Sequence, residues 1–443
     1  MGSKRSSRGP GDPETWSDAA ATDPLRPNPN AVQAPDDRPA TYREVFAVRE
    51  FRYLFNAYLL SLIGDQLAKV ALSVVVFERT GSAFLSAVTF AVSYLPWLVG
   101  GPVLAVYADR LPRRQIMIGC DLLRALLVAC LVVPGVPLWV MVVLLFVASL
   151  LAPPFEAARA ATTPEVLAGD RYAVGLSLSS ITSQLAQVAG FVLGGALVAV
   201  LSPGGALLID VATFLLSALL LRIGVLARPA AERAERVSLW ADARTGIAVV
   251  FGTPRVRRLI LMLWCASALG FAPEGLAAAY AAELDEPTQA VGLLLAASPL
   301  GLIVGGVVIG RMVRPSRRET LLVPLAALSV LALVPAAGLP WVGAVLVLFF
   351  LSGIGFSFVI PLNVMVVRSV DPAARARAFA VVASGLQGAQ GIGIVLAGLA
   401  AEVLDPSIVV SLVGVVGTVL VLTIGLRHRA APTRPAHPVT SSV

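Results

Sequence analysis

Asp65 and Lys69 stand four residues apart inside an otherwise apolar run at about 53–77. On a helix that spacing puts them on one face, together with Ser61 and Ser73. A lone charge at mid-bilayer costs about 2.5–3.5 kcal/mol on insertion scales, so such side chains face a cavity or a partner. Two chemistries fit this pair. In one, Asp65 takes up a proton or binds a cation while Lys69 tunes it or contacts an anionic substrate. In the other, the two neutralise each other and lock the helix. Glu274 follows Pro273 in a second apolar run, at about 259–282. Proline frees a backbone carbonyl and permits a break where a polar group can sit. Glu274 is therefore a second proton-carrying candidate, or a group lining an outer vestibule. Asn363, after Pro361, is a further cavity candidate.

Four glutamines join this set. Gln184 and Gln187 recur as Gln387 and Gln390 at a shift of 203 residues, and Gly190 and Gly195 recur with them as Gly393 and Gly398. Mid-span amides need partners, which a wet cavity or a neighbouring helix supplies. They are expected to bond a substrate or to join packed helices; the glycines let helices approach closely.

The elements that must hold these residues are membrane helices. The chain is 57% hydrophobic and 14% charged, with a mean hydropathy of +0.83. Both exclude an ordinary soluble domain. Twelve apolar runs, six on each side of a polar stretch at 228–258, are long enough to cross a bilayer. The expected organisation is a disordered tail over 1–50 without a cleavable signal and a bundle over 51–227. A linker over 228–258 follows, whose Leu239, Trp240, Ala243, Ile247, Val250 and Phe251 form an amphipathic helix on the membrane surface. A second bundle over 259–427 and a tail over 428–443 complete it.

The net charge of +7 does not indicate nucleic acid, because arginines concentrate in alternate short loops. Asp109-Arg110-Leu111-Pro112-Arg113-Arg114 is echoed by Val313-Arg314-Pro315-Ser316-Arg317-Arg318 at a shift of 204. The positive-inside rule places these loops, the linker and both termini in the cytoplasm. Cys120, Cys130 and Cys265 lie in apolar runs without metal-ligand spacing, and His428 and His437 lie near the C-terminal end, so no metal site and no cofactor is expected.

On these residues the chain resembles the major facilitator superfamily. The stretch from Gly101 to Arg114 is similar to its signature loop after the second span, although Pro102 and Ala105 stand where glycines are frequent. Gly64-Asp65, Thr80-Gly81-Ser82, Asp121-Leu122-Leu123-Arg124-Ala125, Arg159 to Pro164, Asp210 to Ser217 and Arg375-Ala376-Arg377 resemble its drug and siderophore exporter branch, the enterobactin-exporter-like and macrolide-efflux-like proteins. Gly190-Phe191 and Gly194-Gly195 are similar to an antiporter motif but lack its proline.

The resemblance implies an all-α membrane protein with twelve transmembrane helices in two six-helix bundles. It implies a cytoplasmic latch of Asp109, Arg110, Arg113 and Arg114, completed by Asp121, Arg124 and Arg159. The function expected is proton-coupled export of a small amphipathic molecule, drug-like or a siderophore, by a monomer in a bacterial inner membrane. Uptake of a metabolite, or a sensor or scaffold without transport, are the alternatives. No catalytic constellation or nucleotide-binding loop points to an enzyme.

Overall fold

The computed structural model describes residues 40–97, 111–228 and 239–429. The expected latch residues Asp109 and Arg110 lie outside them, as do the chain before Ala40 and the end beyond Arg429.

Ten helices among the described residues are long and apolar enough to cross a membrane. One of them, Asp170–Gly224, has 55 residues, about 80 Å at 1.5 Å rise and far too long for one crossing. Ser202 breaks it with φ 72° and ψ 163°, and Pro203, Gly204 and Gly205 follow. The break makes two spans, and Ala83–Trp97 is a shorter apolar helix. The helices are therefore consistent with twelve spans, counted below in chain order.

Local chemistry sets the turns between them. The first span, Arg49–Thr80, ends at Gly81, whose left-handed φ of 65° a side chain would strain. Ser82 then caps the second span by accepting from the Leu85 N–H. The Thr80-Gly81-Ser82 segment is thus a one-step reversal.

Packing divides the molecule unevenly along its length. Toward the side opposite the arginine loops, one core runs through both halves and joins Val74, Phe90 and Phe191 to Tyr280, Leu294 and Ile394. Toward the arginine side the core splits. Leu54, Met117 and Phe155 pack in the first half; Leu259, Phe358 and Val366 pack in the second. The halves are therefore closed on one side and parted on the other.

Small residues make the closed side possible. A Cβ on Gly292 of the eighth span would lie 2.4 Å from the Phe191 carbonyl and 2.8 Å from Gly195 Cα of the fifth. The repeat counterpart is the eleventh span on the second, where a Cβ on Gly398 would lie 2.4 Å from Ala87. At the rim Glu402 accepts from Ser82 Oγ at 2.6 Å and from the Phe84 N–H at 3.0 Å.

Three expectations are corrected. Residues 40–50 are folded: Thr41 caps a helix over Tyr42–Ala47, and Val45 packs with Phe51, Phe55 and Leu167. Val45 and Phe46 supply enough apolar surface to dock this segment. At the other end the twelfth span runs through to Arg429, so His428 is helical. The linker helix, Leu239–Gly252, seats on the protein: a Cβ on Gly246 would lie 2.6 Å from the Arg377 carbonyl of the eleventh span. Val250 is buried, while Ile247 faces outward.

Two outcomes follow. Gly292→Ala forces two backbones apart and should destabilise the detergent-solubilised protein by about 1–3 kcal/mol. Gly119→Ala, where a Cβ meets nothing within 4 Å, should be neutral or slightly stabilising; thermal melts of both variants check this. Glu402 is held below the ordinary value of 4.5 by the Ser82 hydroxyl and the Phe84 N–H. A depressed carboxylate stabilises above its ordinary value and ceases to do so as pH falls through the lower folded one. Spin labels on the second and eleventh spans should therefore report a more open rim on acidification below that range, and Glu402→Gln should flatten the response.

Candidate functional site

A cavity of about 350 Å³ lies between the halves, where the shared core gives way to the divided one. Helix breaks form its wall. The second span is interrupted at Ser93-Tyr94, the fourth at Leu151 before Pro153-Pro154, the seventh at Phe271 before Pro273, and the tenth at Ser357 before Pro361. Ser93, Tyr94, Ala152, Phe271 and Phe356 all line the cavity. Irregular backbone at membrane depth is tolerated where it borders such a space.

All four repeat glutamines, Gln184, Gln187, Gln387 and Gln390, line it, as do Asp65, Lys69 and Arg124. Two copies of one motif, far apart in the chain, thus furnish opposite walls. Gln66 was not foreseen; it lies beside Asp65, and its Oε1 is buried without a partner among the described residues.

The Asp65 carboxylate is paired, but not with Lys69. Arg124 of the third span, itself 3% exposed, reaches both its oxygens through Nη2 at 2.8 and 2.9 Å. The same guanidinium donates to Ser61 Oγ at 3.1 Å and to the Ala148 carbonyl at 3.3 Å, and its face lies 4.8 Å from the Phe214 ring centroid. Ser61 in turn donates to Asp121 at 3.5 Å, and Asp121 also accepts from Ser217 at 2.5 Å. Asp210 of the sixth span completes the group, fully buried. A Cβ on Gly64 would lie 2.1 Å from Asp210 Oδ1, so only glycine beside Asp65 leaves room for this acid.

Three segments singled out by sequence similarity, Gly64-Asp65, Asp121 to Ala125 and Asp210 to Ser217, converge here. Asp210 was not foreseen as a site residue. The rule that draws attention to Asp65, a charge within an apolar run, applies to it equally.

A second cluster crosses between the halves. Tyr94 donates to Glu274 Oε2 at 3.1 Å, while Glu274 Oε1 has no partner among the described residues. The Lys69 ammonium sits 5.2 Å from the Tyr94 ring centroid and 6.0 Å from that of Phe90, a cation–π arrangement. It interacts electrostatically with both Asp65 and Glu274. Glu274 is buried behind Tyr94, which lines the cavity.

Other expected residues fall elsewhere. Asn363 is exposed, because Leu362, Met365 and Val366 occupy the buried face of that helix. Asp121 and Arg124 belong to the buried network and not to the group at the loop. Arg113 bonds the Ala161 carbonyl and Glu165, and Arg114 bonds the Arg222 carbonyl, all within the first half. Arg159 pairs with Glu156 at 2.8 Å and stacks over Tyr58 at 3.9 Å. Of the second arginine cluster, Arg318 bonds the Val313 and Gly310 carbonyls and so finishes the eighth span.

Fold and cavity together define a multi-pass helical membrane protein with a polar binding space between two bundles. The sequence profile of the Major Facilitator Superfamily matches residues 54–363 and 275–442. The chain belongs to that family and is a transporter.

Among curated relatives, macrolide efflux protein A of Streptococcus pyogenes is 30% identical over 105 residues, 23% of this chain and 26% of that protein. An uncharacterized MFS-type transporter of Bacillus subtilis, YfiS, is 31% identical over 170 residues, 38% of this chain and 40% of that protein. The matched segments thus span less than half the length of these relatives. Among solved structures, a mutant of the nucleoside transporter NupG superposes with a TM-score of 0.70 at 15% identity, covering 85% of this chain and 99% of that one. A bacterial homolog of the human lysosomal transporter Spinster, inward-facing and unoccupied, gives 0.64 at 13% identity, covering 88% and 96%. These likenesses establish the fold.

Removing one partner of a buried ion pair strands the other, at a cost of about 3–5 kcal/mol. Arg124→Gln should therefore destabilise strongly, toward the lower end of that range because Asp65 borders the cavity. Asp65→Asn in the same chain should recover part of the loss, and thermal melts of the two single variants and the double variant read the coupling.

Proposed function

We propose that this protein is a proton-coupled exporter of a small amphipathic molecule. The observation that carries the reading is a titratable ion pair, Asp65–Arg124, in the wall of the cavity that also presents Lys69 and the four glutamines. In a bilayer a carboxylate of this kind holds its charge only while its partner is in place. Protonation of Asp65 would release Arg124 and alter the cavity wall, which is how a proton changes the affinity of a nearby substrate site. Glu274, under Tyr94 at the closed end, is the second coupling candidate and sits where opening on that side must break a contact between halves.

The arginine side is taken as cytoplasmic, with both termini there, in a bacterial inner membrane. The cavity then faces the cytoplasm, where an exported molecule enters. Rocking of the two bundles presents it to the other side, where the molecule leaves and a proton binds. The latch of Asp109, Arg110, Arg113 and Arg114 closes the cytoplasmic side in that second state; the bonds of Arg113 and Arg114 within their own half fit its open condition. Tyr94, Trp97, Phe271 and Phe356 supply aromatic surface beside the amides. That mixture suits a drug-like compound or siderophore, as does the partial similarity to a macrolide efflux protein. The protein acts as a monomer, with each chain holding a complete cavity.

Uptake of a polar metabolite is the second reading, favoured by the density of amides in the wall. Proteoliposomes under an imposed pH gradient, tested with a macrolide and with a panel of polar metabolites, separate the two. Export predicts macrolide movement against the proton flow, lost in Asp65→Asn or Glu274→Gln. Flux indifferent to the gradient and to both substitutions sinks the coupling.

A further inference from the structure

We propose that Asp210 is a second proton-carrying residue, alternating with Asp65 for the guanidinium of Arg124. The inference rests on the proton-coupled reading above and adds to it a place where the proton is held.

The interior of the first half contains three carboxyl groups, Asp65, Asp121 and Asp210, and two cations, Arg124 and Lys69. Lys69 lies against the Tyr94 and Phe90 rings and interacts with Asp65 and Glu274, whereas Arg124 is the cation that acts on Asp65, Asp121 and Asp210 alike. Tyr58, near Asp65, and Cys120, near Arg124 and Asp121, are the other titratable groups beside them. Arg124 uses four of its five N–H donors on other groups: two bonds go to Asp65, one to Ser61 and one to Ala148. Asp121 is partly compensated by two hydroxyls, those of Ser217 and Ser61. Asp210 accepts one hydroxyl, from Thr213 at 3.3 Å on Oδ1, while its Oδ2 is buried and without a partner among the described residues. An isolated ionised carboxylate in such a place is neutralised before it is tolerated. Asp210 is therefore the group that carries a proton while Asp65 holds Arg124.

Geometry links the two acids. The Asp210 carboxyl packs, with the Thr213 hydroxyl, against the backbone at Gly64, one residue from Asp65. One guanidinium neutralises one carboxylate, so the ionisation of Asp210 and of Asp65 must alternate. In the exchange an O–H bond on Asp210 breaks as one forms on Asp65. Arg124 then moves to the carboxylate left behind. Protons and net charge are both conserved. The coupling proton is thus stored away from the cavity while Asp65 is ionised, and is returned to Asp65 beside the substrate.

Infrared spectroscopy of the full chain reconstituted in lipid, at neutral pH in heavy water, tests this without any substrate. A protonated carboxyl gives a carbonyl stretch separate from carboxylate bands. The wild-type protein should show it, with a component that Asp121→Asn and Glu274→Gln both keep and Asp210→Asn loses; that component is the band followed in the remaining variants. Should the Asn variant not be recovered, Asp210→Glu must shift the band. Asp65→Asn supplies the sharper arm: with Asp65 neutral, Arg124 turns to Asp210 and the band should vanish although Asp210 is present. A band absent from the wild type, unmoved by substitution of Asp210, or intact in Asp65→Asn overturns the alternation. Proton-independent transport would refute the coupled reading while leaving these spectra interpretable.

Discussion

One guanidinium among three carboxyl groups is the constraint around which this half of the protein is arranged. Arg124 presents planar donors in several directions, which a lysine does not. It uses them to tie the first span to the third and the third to the fourth. Ser61 extends the same network to Asp121, and Ser217 extends it to the sixth span. In an apolar bundle such groups are stable only when mutually satisfied. Helix positions are therefore set by polar geometry as much as by packing. Arg124 bonds one of these acids directly, and the others are held by hydroxyls.

Around that network the fold combines close approach with deliberate interruption. Gly195 and Gly292 bring the halves together on one side, with the Gly398–Ala87 contact as their repeat counterpart. On the other side the halves keep separate cores. Where the two regimes meet, four spans break, and the exposed turns become cavity wall. The breaks in the fourth, seventh and tenth spans each precede prolines, which free carbonyls that continuous helices would have used. Close contact on one side and divided cores on the other is one of the two arrangements that rocking of the halves would exchange.

Much of this could be read from residue order because membrane insertion is governed by local hydropathy. Apolar runs, arginine loops and the repeat offsets mark the spans and the symmetry, and the symmetry correctly brings Gln184, Gln187, Gln387 and Gln390 to one cavity. Partner choice was harder. Asp65 and Lys69 share a helix face, yet Asp65 bonds Arg124 from another span, since proximity along a helix does not compete with a bidentate contact across it. Asp121 and Arg124, near a loop in the chain, belong to the buried interior. Asn363 follows a proline as Glu274 does, but its helix turns it outward. Residues 40–50 were expected to belong to a disordered tail, yet Val45 and Phe46 dock on the first span.

The sequence by itself determined that this is a duplicated helical membrane protein with charges inside its first and seventh spans. Hydropathy and repetition are properties of the chain, and no neighbour is needed to express them. Only the tertiary structure decided which acid owns which base, that Asp210 belongs with Asp65, and that Tyr94 reaches Glu274 across the halves. Those pairings depend on the rotation and depth of helices distant in sequence, fixed to within an ångström by glycine contacts and hydrogen bonds that no local pattern encodes.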